Sequence, residues 1–135
     1  MSIVQQKLGH VLIIEPDVLL GRVYVKALEE AGYSATNVTN AQTAVDSADI
    51  LSPDVVILEL QLVAHNGLEF LYEFRSYSDW QRVPVIIHSL TPQHAMLKTP
   101  ELRYHLGVVN YLYKPTATLT DLIEAVHSVI KVTES

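Results

Sequence analysis

Short runs of apolar residues alternate along the chain with longer stretches in which apolar positions recur every three or four residues. Val11-Leu12-Ile13-Ile14 is the first run, β-branched at three of its four positions. A segment this uniformly apolar suits a strand covered on both faces, as in parallel sheets. Leu20, Val23, Tyr24, Ala27, Leu28 and Ala31 then fall at helical spacing and predict an apolar helix face, with Gly32 as its stop. Residues 34–38 read as a weaker second strand. Asn40 is placed to cap a second helix with Ala44, Val45, Ala48 and Leu51 on its apolar side. Pro53-Asp54 punctuates, and residues 55–60 predict a third strand. Asn66-Gly67 signals a turn before a helix that directs Leu68, Leu71 and Phe74 inward. Pro84 precedes a fourth strand over 85–88, and Thr99-Pro100 starts a short fourth helix. Residues 108–113 predict a fifth strand. Thr118 and Asp121 have capping-box spacing and open a fifth helix with Leu122, Ile123, Val126 and Ile130 inward.

Five strand–helix units in alternation predict an α/β fold, a parallel sheet with helices on both faces. Right-handed crossovers make it doubly wound. Sites in such folds lie beyond the carboxyl ends of the strands, where strand order switches. The positions to read are therefore 15–17, 59–63, 89–90 and 114–115.

The length of 135 residues suits a single domain over 1–135, with a core over about 9–132. Nine basic against fifteen acidic residues give a net charge of −6, which disfavours binding to nucleic acid. There is no cysteine, so disulfides, thiolate catalysis and cysteine zinc sites are excluded. No basic, apolar leader opens the chain, and no apolar run reaches the ~18 residues of a membrane span. A cytoplasmic protein that does not engage membranes is expected. His10 and His88 have no partner at metal-ligand spacing and read as satisfied structural histidines. Hydrolase and nucleotide-binding motifs are missing, so no catalytic residue is assigned and an enzyme is not expected.

Glu15-Pro16, Glu59, Ser89 and Lys114-Pro115 stand at the ends of strands one, three, four and five. With Gly67 eight residues after Glu59 and Tyr111 three before Lys114, this order resembles the response-regulator receiver family of two-component signalling. The resemblance covers nearly the whole chain. It implies a flavodoxin-like five-stranded parallel sheet of order 2-1-3-4-5. It also implies that Glu59 stands at the phosphoacceptor position, with Ser89, Leu90, Tyr111 and Lys114 as switch and pocket residues. In the family, Mg²⁺ held by carboxylates and a backbone carbonyl assists transfer from a phosphohistidine. Glu15, Pro16, Asp17 and Gln61 would correspond to that metal site. Two departures make it degenerate: Glu59 replaces an aspartate and Pro16 replaces an acid. The added methylene displaces the carboxylate by roughly 1.5 Å, and about 1 Å of misplacement can cost ~100-fold in rate.

The expectation is a pseudo-receiver without a cofactor, with metal binding absent or weak. The alternative is a working phosphoacceptor that uses Glu59 with Mg²⁺. Glu59 is either a built-in stand-in for the phosphorylated state or a decayed site held by a cation, and Lys114 is in register to pair with it. Ser89 is either a switch hydroxyl or a loop hydrogen-bonder, and Tyr111 either a switch or plain packing. Partners implied are another signalling protein, whether histidine kinase or downstream effector, and a second copy docked through the face of helix four, strand five and helix five.

Overall fold

The computed structural model describes residues 7–62, 66–92 and 105–134. Five parallel strands form one sheet in the order β2-β1-β3-β4-β5: β1 (His10–Ile14), β2 (Ser34–Val38), β3 (Val55–Leu58), β4 (Val85–Ser89) and β5 (Val108–Tyr113). The helices are α1 (Val18–Glu30), α2 (Ala41–Ile50), α3 (Gly67–Ser76) and α4 (Leu119–Glu134), with one 3₁₀ turn at Ser78–Trp80. The short helix expected at Thr99-Pro100 lies outside the described residues. The last helix of the chain is therefore α4 here.

Alternate residues of the central strands feed two cores. Leu12, Ile14, Val56, Leu58, Val85 and Ile87 pack against α2 and α3. Val11, Ile13, Val55, Ile57 and Ile86 pack against α1 and α4. This two-sided burial is why the strands read as unbroken apolar runs. Local chemistry sets the helix ends. Asp17 Oδ1 accepts from the N–H groups of Leu19 and Leu20. Asn40 accepts from Thr43 N–H, and Asn66 from Glu69 N–H. Thr118 and Asp121 close a reciprocal capping box. At the end of α1, Gly32 has φ +105°, and the N–H groups of Tyr33 and Gly32 return to the carbonyls of Leu28 and Glu29, a Schellman closure.

Three expectations need correction. Leu20 and Val23 are exposed, because the buried stripe of α1 runs through Gly21, Tyr24 and Leu28. Leu51 is exposed as well, since it is the extended C-cap of α2 rather than part of its inner face. Strand three ends at Leu58, not Leu60. The Glu59 N–H still bonds to Ile14 O, but the Leu60 carbonyl already accepts from Gly67 N–H as the chain turns into α3. That turn needs glycine: a Cβ on Gly67 would lie 2.8 Å from Leu60 Cα.

Candidate functional site

Sheet register assembles the site. Ile14 pairs with Leu58, and Leu58 with Ile87, so Glu15, Glu59 and the end of β4 emerge side by side. Between β4 and β5 the register shifts by one: Val85 pairs with Val108, but Ile86 pairs with Asn110. The bulge at Val109 brings Tyr113 opposite Ser89, and Lys114 N–H then donates to Ser89 O at 2.8 Å. Lys114 therefore starts its side chain at the same sheet edge as the two carboxylates.

Lys114 Nζ donates to Glu59 Oε1 at 2.7 Å and to Glu15 Oε1 at 2.5 Å. Glu59 is 3% exposed and Glu15 4% exposed, so a single ammonium balances two buried carboxylates. The other carboxylate oxygens have donors too. Glu59 Oε2 accepts from the Ser89 hydroxyl and from Gln61 N–H, the latter at 3.0 Å. Glu59 Oε1 also accepts from Leu90 N–H at 3.1 Å. Glu15 Oε2 accepts from Asp17 N–H at 3.0 Å. Burial works to raise the Glu59 pKa, but hydrogen bonds from Lys114, Ser89 and Gln61 outweigh it and hold the carboxyl below its ordinary value. Burial works to lower the Lys114 pKa, and Glu15 and Glu59 more than reverse that.

The network continues outward from Ser89. Thr91 N–H donates to Ser89 Oγ at 3.0 Å, so the hydroxyl serves both Glu59 and its own loop. The Tyr111 hydroxyl donates to the Thr91 carbonyl, and its ring packs against the α2–α3 core. Burial, with the Glu59 charge, pushes the Tyr111 pKa up to about 12, so the phenol stays a donor at neutral pH.

Of the residues singled out by sequence, Glu15, Glu59, Gln61, Ser89, Leu90 and Lys114 meet in one place, and Tyr111 reaches it through Thr91. Asp17 joins them only through its backbone N–H on Glu15, because its exposed carboxylate caps α1. Pro16 brings no side-chain oxygen. Leu90 contributes its backbone N–H, and the residue is 53% exposed. Sequence reasoning did not find the Glu15–Lys114 bond or the Gln61–Thr91 side-chain bond at 2.9 Å. His10 Nδ1 pairs with Ser34 Oγ at 2.6 Å, and the buried His88 ring meets the Tyr24 ring edge-on at 5.1 Å.

Known proteins share this arrangement of strands. The family model described as the response regulator receiver domain matches residues 11–127. The alginate biosynthesis transcriptional regulatory protein AlgB of Pseudomonas aeruginosa is 28% identical over 115 residues, which is 85% of this chain and 24% of AlgB. The transcriptional regulatory protein QseB of Escherichia coli O157:H7 is 33% identical over 110 residues, 82% of this chain and 48% of QseB. The chain thus spans less than half the length of either relative. A CheY-like receiver domain from Methylobacillus flagellatus superposes with a TM-score of 0.77 at 21% identity, over 91% of this chain and 99% of that one. With the 2-1-3-4-5 sheet and the acid, hydroxyl and lysine at its strand ends, the match over residues 11–127 places the chain in the response regulator receiver family of two-component signalling.

Proposed function

We propose that this receiver signals without phosphoryl transfer, as a pseudo-receiver whose own Glu59 fills the place of a phosphoryl group. The observation that carries this reading is the set of donors on the Glu59 carboxylate. The lysine and the hydroxyl that would bind phosphoryl oxygens in the family already bind Glu59, together with the N–H groups of Gln61 and Leu90. A carboxylate held by four donors is a poor nucleophile, because attack requires breaking contacts that hold its charge. The residues present also do not fit Mg²⁺. Lys114 sits between both carboxylates, Pro16 has no donor, and Asp17 is used as a helix cap. Among the described residues there is no group of three His, Asp or Glu side chains able to hold a metal.

The network also ties Ser89 and Tyr111 into one arrangement through Thr91. Receiver switching shifts a two-state equilibrium, and an internal ion pair biases that equilibrium permanently. Output on this reading is contact with another signalling protein, a histidine kinase or a downstream effector, in the cytoplasm. No enzymatic step, membrane or nucleic acid is involved, and self-association would use the surface around β5. Among the described residues no helix is long and apolar enough to cross a membrane.

Amide NMR of Glu59→Gln tests the lock. Loss of the charge is expected to weaken the Lys114 and Ser89 bonds and move the resonances of Thr91 and Tyr111, well beyond the substituted position. Spectra that superimpose at Thr91 and Tyr111 would show that Glu59 fixes nothing.

A further inference from the structure

We propose that the groove between α1 and the end of β2 binds a small hydroxy carboxylate with an apolar body. Its volume of about 350 Å³ lies within the roughly 300–1,000 Å³ of small-molecule sites. One wall is a stripe of α1. Val18, Arg22, Val25, Lys26 and Glu29 line it, and their spacing of three or four residues puts them on one face of the helix. Asn37 of β2 lies on the other wall.

Two features give this groove a ligand chemistry. The first is charge. Arg22 and Lys26 are exposed, and neither enters an ion pair among the described residues. With Glu29 at the end of the stripe, the groove carries one excess positive charge on a chain whose net charge is −6. A single carboxylate balances that charge, and the Arg22 guanidinium has the fork geometry to hold both of its oxygens. The second feature is an unmade hydrogen bond. Asn37 Oδ1 is, among the described residues, the buried side-chain atom with no partner. Nδ2 of the same amide reaches the Glu15 carbonyl only at 3.4 Å, beyond the usual range of about 2.7–3.2 Å. That carbonyl requires a donor, which fixes Nδ2 as the end facing it and leaves Oδ1 as the orphan. Buried acceptors are normally paired, so an orphan on a groove residue points to a donor arriving from outside. Gly21 leaves the amide its room, since a Cβ there would fall 2.1 Å from Asn37 Nδ2. An amide held this loosely turns toward the groove at little cost, and its Oδ1 then accepts from a hydroxyl beside the ligand carboxylate. Val18 and Val25 meet the apolar body. The site is independent of whether Glu59 takes phosphate, and it adjoins the carboxylate network through the Glu15 carbonyl.

The test titrates the full chain with 2-hydroxyisovalerate and with isovalerate, which has the same body and charge without the hydroxyl. The Asn37 side-chain amide and the methyl groups of Val18 and Val25 are followed by NMR. The expected result is a saturable shift at all three on one curve with 2-hydroxyisovalerate. Isovalerate should bind about five- to tenfold more weakly, the value of one neutral hydrogen bond. Arg22→Gln, a change at an exposed position, should weaken both compounds about tenfold, the value of a hydrogen bond to a charged group. In Asn37→Ala the two compounds should bind alike. No saturable change at Asn37 would overturn the proposal. Equal affinities of the two compounds for the wild-type chain would overturn it too, a comparison that stands even if the Asn37 variant fails to fold, as would undiminished binding to Arg22→Gln.

Discussion

Glu59 is one methylene longer than the aspartate its position resembles, and that length carries its carboxylate to the hydroxyl of Ser89 and the ammonium of Lys114. Lys114 in turn is, among the described residues, the positive charge bonded to both buried carboxylates. Lys114→Met should therefore cost about 3–5 kcal/mol in a urea unfolding experiment, because it leaves those charges buried and unpaired. The pH dependence follows from the shifts. Glu59 is held below its ordinary value of 4.5, so its contribution is present at neutral pH and is lost as pH falls through the folded-state value. Lys114 is held above 10.5, so its contribution is lost only as pH rises beyond that range. Between these limits His88 dominates. Its pKa falls from 6.5 to about 4, so the unfolded chain takes up a proton that the folded chain refuses. Stability should drop by about 2 kcal/mol between pH 6.5 and pH 4 on this account. His88→Phe should flatten that slope, measured as urea midpoint against pH, and an unchanged slope would remove His88 as its source.

The elements themselves were largely legible. The apolar runs became the strands because both sheet faces are covered, Asn40 and Thr118 cap helices as their positions suggested, and Asn66, read as a turn residue, caps α3. Periodicity erred where a neighbour decides the outcome. Leu20 and Val23 have helical spacing but stay 39% and 45% exposed, and no pattern within α1 records that. Asp17 looked like a remnant acid of the site and is a cap instead. Asp17→Ala should cost about 1 kcal/mol of stability while leaving the Glu59 and Lys114 resonances in place. Gly67→Ala should do more harm to the site, since its Cβ would press on Leu60 Cα, one residue from Glu59. A loss of about 1–3 kcal/mol and shifts at Glu59 are expected from crowding at this turn.

At the scale of the whole molecule, the strand ends could be named in advance because register in a parallel sheet lines them up. The exact junction could not. The Val109 bulge has no sequence signal, yet it sets Lys114 in line with Glu15 and Glu59. The bond from Lys114 to Glu15 likewise spans 99 positions and depends on that alignment. The sum is a receiver whose site is closed by its own side chains. The most direct measurement is the intact mass of the wild-type chain after incubation with Mg²⁺ and acetyl phosphate, with an amide spectrum of the same sample. The account predicts an unchanged mass and no Mg²⁺-dependent shifts at Glu15, Glu59 or Lys114. A phosphoryl adduct on Glu59 would contradict it, and the chain would then be a working phosphoacceptor.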